Sequence, residues 1–211
     1  MAFWPRSPGG AAAVSSRPWW LPLGTPDPAD LAWTWYSQGG ASVADLADGG
    51  VALTVPASEG AGRERPVSGS SWTRTMWFTP GGIQNTAGGM IFSMWARRSA
   101  SGEISTYHYN LTTASAQVAY WAGARYATTS FGGSPVDSPT INYFGGFASP
   151  VVAVRMVWNG TTIRMYVSMD GRNFNIAHTT TPAAAPDFCG FYAENANVDS
   201  AVFQIQGWEE S

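Results

Sequence analysis

The chain carries few residues that could do chemistry together. Breaking a glycosidic bond needs two carboxyl groups converging on one site, one to donate a proton and one to act as base or nucleophile. The nearest acid pairs are Glu194 with Asp199, Asp45 with Asp48, and Glu209 with Glu210. On a strand, adjacent residues and residues three apart point to opposite faces. The second and third pairs therefore cannot converge. Glu194 and Asp199 are separated by the loop-like run N-A-N-V. All six are read as solvated loop or tail acids. His108 in T-Y-H-Y-N and His178 in I-A-H-T-T have no His, Cys or acid at metal-ligand spacing. His108 is expected to be a half-exposed strand residue. There is no G-x-S-x-G, and the paired glycines read as turns. The single cysteine, Cys189 in F-C-G-F, has no partner for an internal disulfide and is expected to be a small buried apolar residue on a strand. No catalytic residue, cofactor or metal ligand is assigned.

Aromatic side chains are the other candidates. A ring face can hold a pyranose, and Tyr107, Tyr109, Tyr120, Trp121 and Tyr126 cluster in mid-chain. Trp121 and Tyr126, on either side of an Ala-Gly-Ala turn, are the candidate glycan-stacking residues; core or inter-subunit packing is the alternative. Residues 1–26 hold five prolines, together with Trp4, Trp19 and Trp20. So many prolines forbid a regular helix or a central strand. This segment is read as an extended arm. Trp4, Trp19 and Trp20 either anchor it to a partner or fold it back on its own domain.

The elements that must position these residues are strands. The run V-V-A-V-R-M-V-W is followed by Asn159-Gly160, then I-R-M-Y-V-S-M, then Asp170-Gly171. Period-two alternation broken by Asn-Gly is a strong hairpin signal. It puts Val152, Val154, Met156 and Trp158 on one face, and Ile163, Met165, Val167 and Met169 on the corresponding face of the next segment. Asp48-Gly49-Gly50 marks a second hairpin. Strands are expected at 32–36, 42–47, 51–55, 72–78, 90–95, 104–111, 116–121, 125–129, 175–179, 188–193 and 202–208. Residues 63–65 are expected in a polar loop and 130–150 in a long surface loop. Short strands with turn signals between them, and no βα alternation, favour two packed sheets of the jelly-roll kind. The predicted organisation is an arm over 1–26 and a β-sandwich over 27–211.

Composition narrows the function classes. Charged residues are 12 %, aromatics 14 %, and the net charge is −3. That balance offers no basic patch for nucleic acid. No run approaches the roughly 18 apolar residues of a membrane helix, and the first residues do not form a secretory signal.

Three stretches together resemble concanavalin A-like (laminin G-like) β-sandwich domains, in particular those of bacteriophage virion proteins. They are W-T-W-Y-S-Q-G-G-A-S-V-A-D running into G-G-V-A-L-T-V-P-A, R-M-V-W-N-G-T-T-I-R-M-Y-V-S-M-D-G-R-N-F, and C-G-F-Y-A-E-N with A-V-F-Q-I-Q-G-W-E-E-S. The resemblance implies a two-sheet antiparallel sandwich. It also implies a non-enzymatic virion structural protein, such as a capsid decoration, tail fibre or tail-tip component. Such a protein is made in the host cytoplasm, docked by its arm on other virion proteins and on copies of itself, and displays a surface for host glycans. A free carbohydrate-binding module is the alternative, and a glycoside hydrolase or lyase comes third. The hydrolase branch of this fold places Glu-x-Asp-x-x-Glu on one strand, a spacing absent from this sequence.

Overall fold

The Asn159-Gly160 hairpin forms in the register its alternation predicts. In the computed structural model, Val154 pairs with Val167, Met156 with Met165 and Trp158 with Ile163. The Asn159 side chain closes the turn by accepting the backbone N–H of Thr161 and Thr162 at 3.0 and 2.8 Å, and Gly160 takes the positive φ of 93° that the turn needs. Val154, Met156, Ile163 and Met165 are fully buried, whereas Met169 lies past the strand end and is 52 % exposed.

The structure describes residues 18–79, 90–112, 118–128, 135–137, 140–142, 151–196 and 200–211. A short 3-10 turn at Pro28–Asp30, capped by Asp27, opens the domain. The strands follow in order: β1 (Thr34–Tyr36), β2 (Ser42–Asp45), β3 (Val51–Val55), β4 (Glu59–Pro66), β5 (Trp72–Thr79), β6 (Met90–Arg97), β7 (Ile104–Thr112), β8 (Val118–Tyr126), β9 (Thr140–Asn142), β10 (Ala153–Trp158), β11 (Ile163–Ser168), β12 (Asn175–Thr180), β13 (Phe188–Asn195) and β14 (Ala201–Glu210). They form two antiparallel sheets of seven. The front sheet runs β1-β4-β13-β6-β7-β8-β9 and the back sheet β12-β11-β10-β5-β14-β3-β2. This is the two-sheet antiparallel sandwich expected from the sequence. Among the described residues, no helix is long and apolar enough to cross a membrane.

Strand alternation sorts the aromatic residues into three layers. Between the sheets lie Met76, Phe78, Phe92, Met94, Tyr107, Trp121, Phe191, Phe203 and Trp208. Phe92 stacks on Phe203 across the sandwich at 5.1 Å. Each such side chain contributes roughly 1.5–3 kcal/mol relative to exposure. Cys189 sits in this layer, wholly buried, and burial pushes its thiol far above the usual range. The neighbours of these residues point outward. Trp95 on β6 anchors a cluster on the outer face of the front sheet, and Trp77 on β5 anchors one on the outer face of the back sheet.

Three sequence expectations are corrected. Residues 140–142, expected within a surface loop over 130–150, form β9, paired with β8. Residues 63–65 are not a loop but lie in β4, paired with β1 and β13. Gly60 and Gly62 supply no side chains, so the strand shows no apolar alternation. The predicted strands at 116–121 and 125–129 are one strand, β8, and Ala122-Gly123-Ala124 is not a turn. Gly123 is required there by packing: a Cβ at this position would lie 2.3 Å from the His178 side chain of β12. Near the same edge, Asp137 ties the sheets together. It accepts the Arg125 N–H of β8 at 2.9 Å and the Thr180 hydroxyl of β12.

Residues 18–26 pack along the outer face of the back sheet. Leu21 is buried against Trp77 and Ala153, with Trp20 alongside. Trp77 Nε1 donates to the Gly171 carbonyl at 2.9 Å, and Trp208 N–H donates to the Pro26 carbonyl at 3.2 Å. Gly171 (φ 75°) and Gly207 make room: a Cβ would meet the Trp20 carbonyl oxygen at 2.1 Å and Thr25 Cγ2 at 2.5 Å, respectively.

Candidate functional site

The candidate site lies at the end of β4 and β13 on the front sheet. It is an open cleft of about 410 Å³ lined by Ser58, Glu59, Gly60, Tyr192, Glu194 and Asn195. Strand pairing builds it, with Tyr192 opposite Gly62, Glu194 opposite Gly60 and Asn195 opposite Glu59. Tyr192 and Glu194 are two apart on β13, so both leave the outer face. The glycines opposite them let the Tyr192 ring lie across β4. A Cβ on Gly60 would fall 2.1 Å from the Tyr192 hydroxyl oxygen, and one on Gly62 would fall 3.0 Å from the ring.

Behind the cleft, Tyr192 stacks on Trp95 at 4.8 Å and 19°, and Tyr36 meets Trp95 edge-on at 4.9 Å. Beside these rings on the same face lies a buried ion pair: Arg97 Nε donates to Glu64 at 2.9 Å. The guanidinium also lies over the Tyr36 and Phe188 rings at 4.8 and 5.0 Å. The bond to Glu64 holds Arg97 above its ordinary value. Such a pair fixes geometry more than it adds stability. Trp95 is wholly buried, and its Nε1–H has no acceptor among the described residues.

The polar groups of the cleft differ in how far they are committed. The Asn195 amide is buried and donates to the carbonyls of Val55 and Pro56, both at 3.1 Å. The Glu59 carboxylate accepts the Gly40 N–H at 2.7 Å. Glu194 is half-buried, and among the described residues no hydrogen bond or ion pair holds its carboxylate. Burial raises its pKa. Burial, helped by Glu194 and Tyr36, also raises the Tyr192 hydroxyl, which stays protonated. The cleft therefore offers a carboxylate acceptor to which no described residue is bonded, and a neutral hydroxyl beside it. This chemistry suits a ligand rich in hydroxyl groups. Glu59 sits next to Gly60 and so leaves β4 on the face opposite Tyr192 and Glu194. Among the described residues lining the cleft, two convergent carboxylates, as glycoside hydrolysis requires, are not assembled.

The residues singled out from sequence are distributed as follows. Trp121 is 1 % exposed, packed between the sheets against Tyr107 and Phe78. Tyr126 is 8 % exposed in the Trp95 cluster. Their assignment to glycan stacking is corrected, because β8 runs unbroken and neither ring has an open face for a sugar. Tyr107 and Tyr109 are core residues. His108 is 4 % exposed, not half-exposed, and burial lowers it to about 4. Glu210 is not a solvated tail acid. It bonds Arg65 at 2.6 Å and Trp208 Nε1 at 2.9 Å; against the burial that opposes them, these bonds hold its carboxyl below the usual range. Trp20 packs on the sandwich, Trp19 is 80 % exposed, and Trp4 and Asp199 lie outside the described residues. Among the described residues, no group of three His, Cys, Asp or Glu could hold a metal. Sequence reasoning noticed Glu194 but read it as a solvated loop acid, whereas it is half-buried on β13; Asp199, set beside it there, lies outside the described residues. The spacing Tyr192-x-Glu194 was the available signal, whereas Ser58 and Glu59 become visible only through strand pairing.

No protein-family model matches the sequence, and no curated protein matches it. Solved structures do match. A functionally unknown protein from Saccharomyces cerevisiae aligns with a TM-score of 0.60 and 16 % identity over 85 % of this chain and 95 % of its own. The exoplasmic/lumenal domain of VIP36, in a form bound to calcium and Man3GlcNAc, aligns with a TM-score of 0.56 and 12 % identity over 88 % and 86 %. A GH43 glycoside hydrolase engineered for endo-xylanase and exo-arabinofuranosidase activity aligns with a TM-score of 0.56 and 10 % identity, over 85 % of this chain but 38 % of the enzyme. At these identities the likeness is one of fold.

Proposed function

We propose that this domain binds carbohydrate without turning it over, through the cleft at the end of β4 and β13. One observation carries the reading. Glu194, half-buried and without a bonded donor among the described residues, stands beside the Tyr192 hydroxyl in an open cleft. A carboxylate partly removed from water and left unpaired costs stability, and a sugar hydroxyl is the kind of donor that relieves that cost. The likeness to a sandwich solved with an oligosaccharide supports the reading. The test is calorimetric titration of the full chain with an oligosaccharide panel, beside Glu194→Gln. Binding that falls about tenfold or more in the variant, with unchanged thermal stability, supports it. Equal binding by both proteins overturns it, and release of reducing ends would make the domain a hydrolase.

A second reading keeps the attachment role of the arm on a virion. Trp19 and Leu23, with relative exposures of 80 % and 101 %, favour a partner for this segment. Because residues 20–21 belong to the sandwich surface, the discriminating variant is Trp19→Ser rather than removal of the whole arm. Its loss from purified particles, with the domain still folded, supports attachment; full incorporation contradicts it.

A further inference from the structure

We infer that the cleft selects uncharged glycans and rejects anionic ones such as uronates and sialosides; this rests on the carbohydrate-binding reading above. The argument is one of charge and of what is already paired. The two charged residues lining the cleft, Glu59 and Glu194, are both acidic; Glu194 presents its carboxylate on this face, Glu59 leaves on the other, and no described cation lines the cleft. The chain has no lysine to reach in from elsewhere, since all its basic residues are arginines. The arginines packed nearest the front sheet are engaged. Arg97 is held by Glu64 beside the aromatic cluster, Arg125 by Glu103 at 3.2 Å, and Arg65 by Glu210 at 2.6 Å. Arg63 lies over the Trp35 ring at 5.1 Å and donates to the Trp33 carbonyl.

A carboxylate on a sugar entering this cleft meets like charge in a partly desolvated site and finds no guanidinium fork to receive it. A neutral sugar instead donates hydroxyl hydrogens to Glu194 and meets the uncharged Tyr192 hydroxyl. Selectivity here comes from a repulsive element already in place rather than from an added contact. Glu194 is the residue that imposes it, because Glu59 is tied to the Gly40 N–H.

The test titrates the full chain at neutral pH with neutral trimers of mannose, glucose and N-acetylglucosamine. The comparison set is trimers of mannuronate and galacturonate together with sialyllactose. The expected result is that the best neutral trimer binds at least about tenfold more tightly than any anionic one, and that Glu194→Gln narrows this gap. Anionic sugars binding as tightly as neutral ones would overturn the inference while leaving carbohydrate binding intact. A gap that Glu194→Gln leaves unchanged overturns the role given to Glu194. Failure of every sugar in both sets removes the carbohydrate reading and this inference with it.

Discussion

The outer faces of the two sheets begin from the same sequence pattern and end differently. In both, a tryptophan sits outward between two inward-facing apolar residues, Met76-Trp77-Phe78 on the back sheet and Met94-Trp95-Ala96 on the front. Such continuous apolar runs mark strands buried on both faces. On the back sheet the cover is a separate piece of chain, residues 18–26, and the indole N–H is satisfied by the Gly171 carbonyl. On the front sheet the cover comes from the sheet itself, from Tyr36 and Tyr192, and the Trp95 N–H has no acceptor among the described residues. Closing one face with spare chain completes its hydrogen bonds and leaves a finished surface. Closing the other with side chains leaves a gap where the glycines of β4 run out of cover, and Glu194 stands in that gap. The unfinished face is the one expected to act.

Breaking the finished face should give the largest effect. Trp77→Ala removes the centre of the cluster under residues 18–26 and leaves the Gly171 carbonyl unpaired. It should cost about 3–5 kcal/mol, measured by denaturant unfolding, with earlier proteolysis of that segment. A loss below about 1 kcal/mol would mean that the segment is not structurally committed to the back sheet.

The front face should reveal itself through pH. His108 lies on its outward side near Tyr126, and burial lowers its pKa from 6.5 to about 4. The folded state disfavours the charged ring, so the unfolded chain binds more protons between those values. This contribution to stability is absent above pH 6.5 and grows as a penalty as pH falls towards 4. It should reach up to about 3 kcal/mol. His108→Gln should flatten that part of the stability profile, and an unchanged slope would contradict the assignment.

The comparison is sharpened by paired substitutions. Trp77→Phe strands a buried carbonyl, whereas Trp95→Phe removes a donor that has no acceptor. Trp77→Phe should therefore be the more destabilising by about 1–2 kcal/mol. Equal losses would show that hydrogen bonding does not distinguish the faces. The smallest effect on stability is expected for Glu194→Gln, within about 0.5 kcal/mol, because no donor is lost.

Most of the fold was legible because β-sandwich cores write themselves in alternation. The pairs Met156–Met165 and Trp158–Ile163 follow from period two and one Asn-Gly turn. What escaped were strands whose side chains are missing or small. In β4 the pattern is blanked by Gly60 and Gly62, and in β8 Ala122-Gly123-Ala124 imitated a turn. The site was legible only in half. Tyr192 and Glu194 share a face by simple spacing, yet the reason the ring can lie where it does is the pair of glycines on the neighbouring strand, more than a hundred residues away in the chain. Trp121 misled for the opposite reason: a large aromatic beside small residues reads as an accessible platform until the opposing sheet is placed over it.

The central claim is that the unfinished front face, and not the covered back face, receives a hydroxylated ligand. The most direct measurement is a backbone amide NMR titration of the full chain with the tightest-binding neutral trimer. Shifts concentrated at residues 58–60 and 192–196, and abolished in Glu194→Gln, are the predicted result. Shifts concentrated instead on residues 18–26 and the outer face of β5 and β10, or no shifts with any sugar, would contradict it.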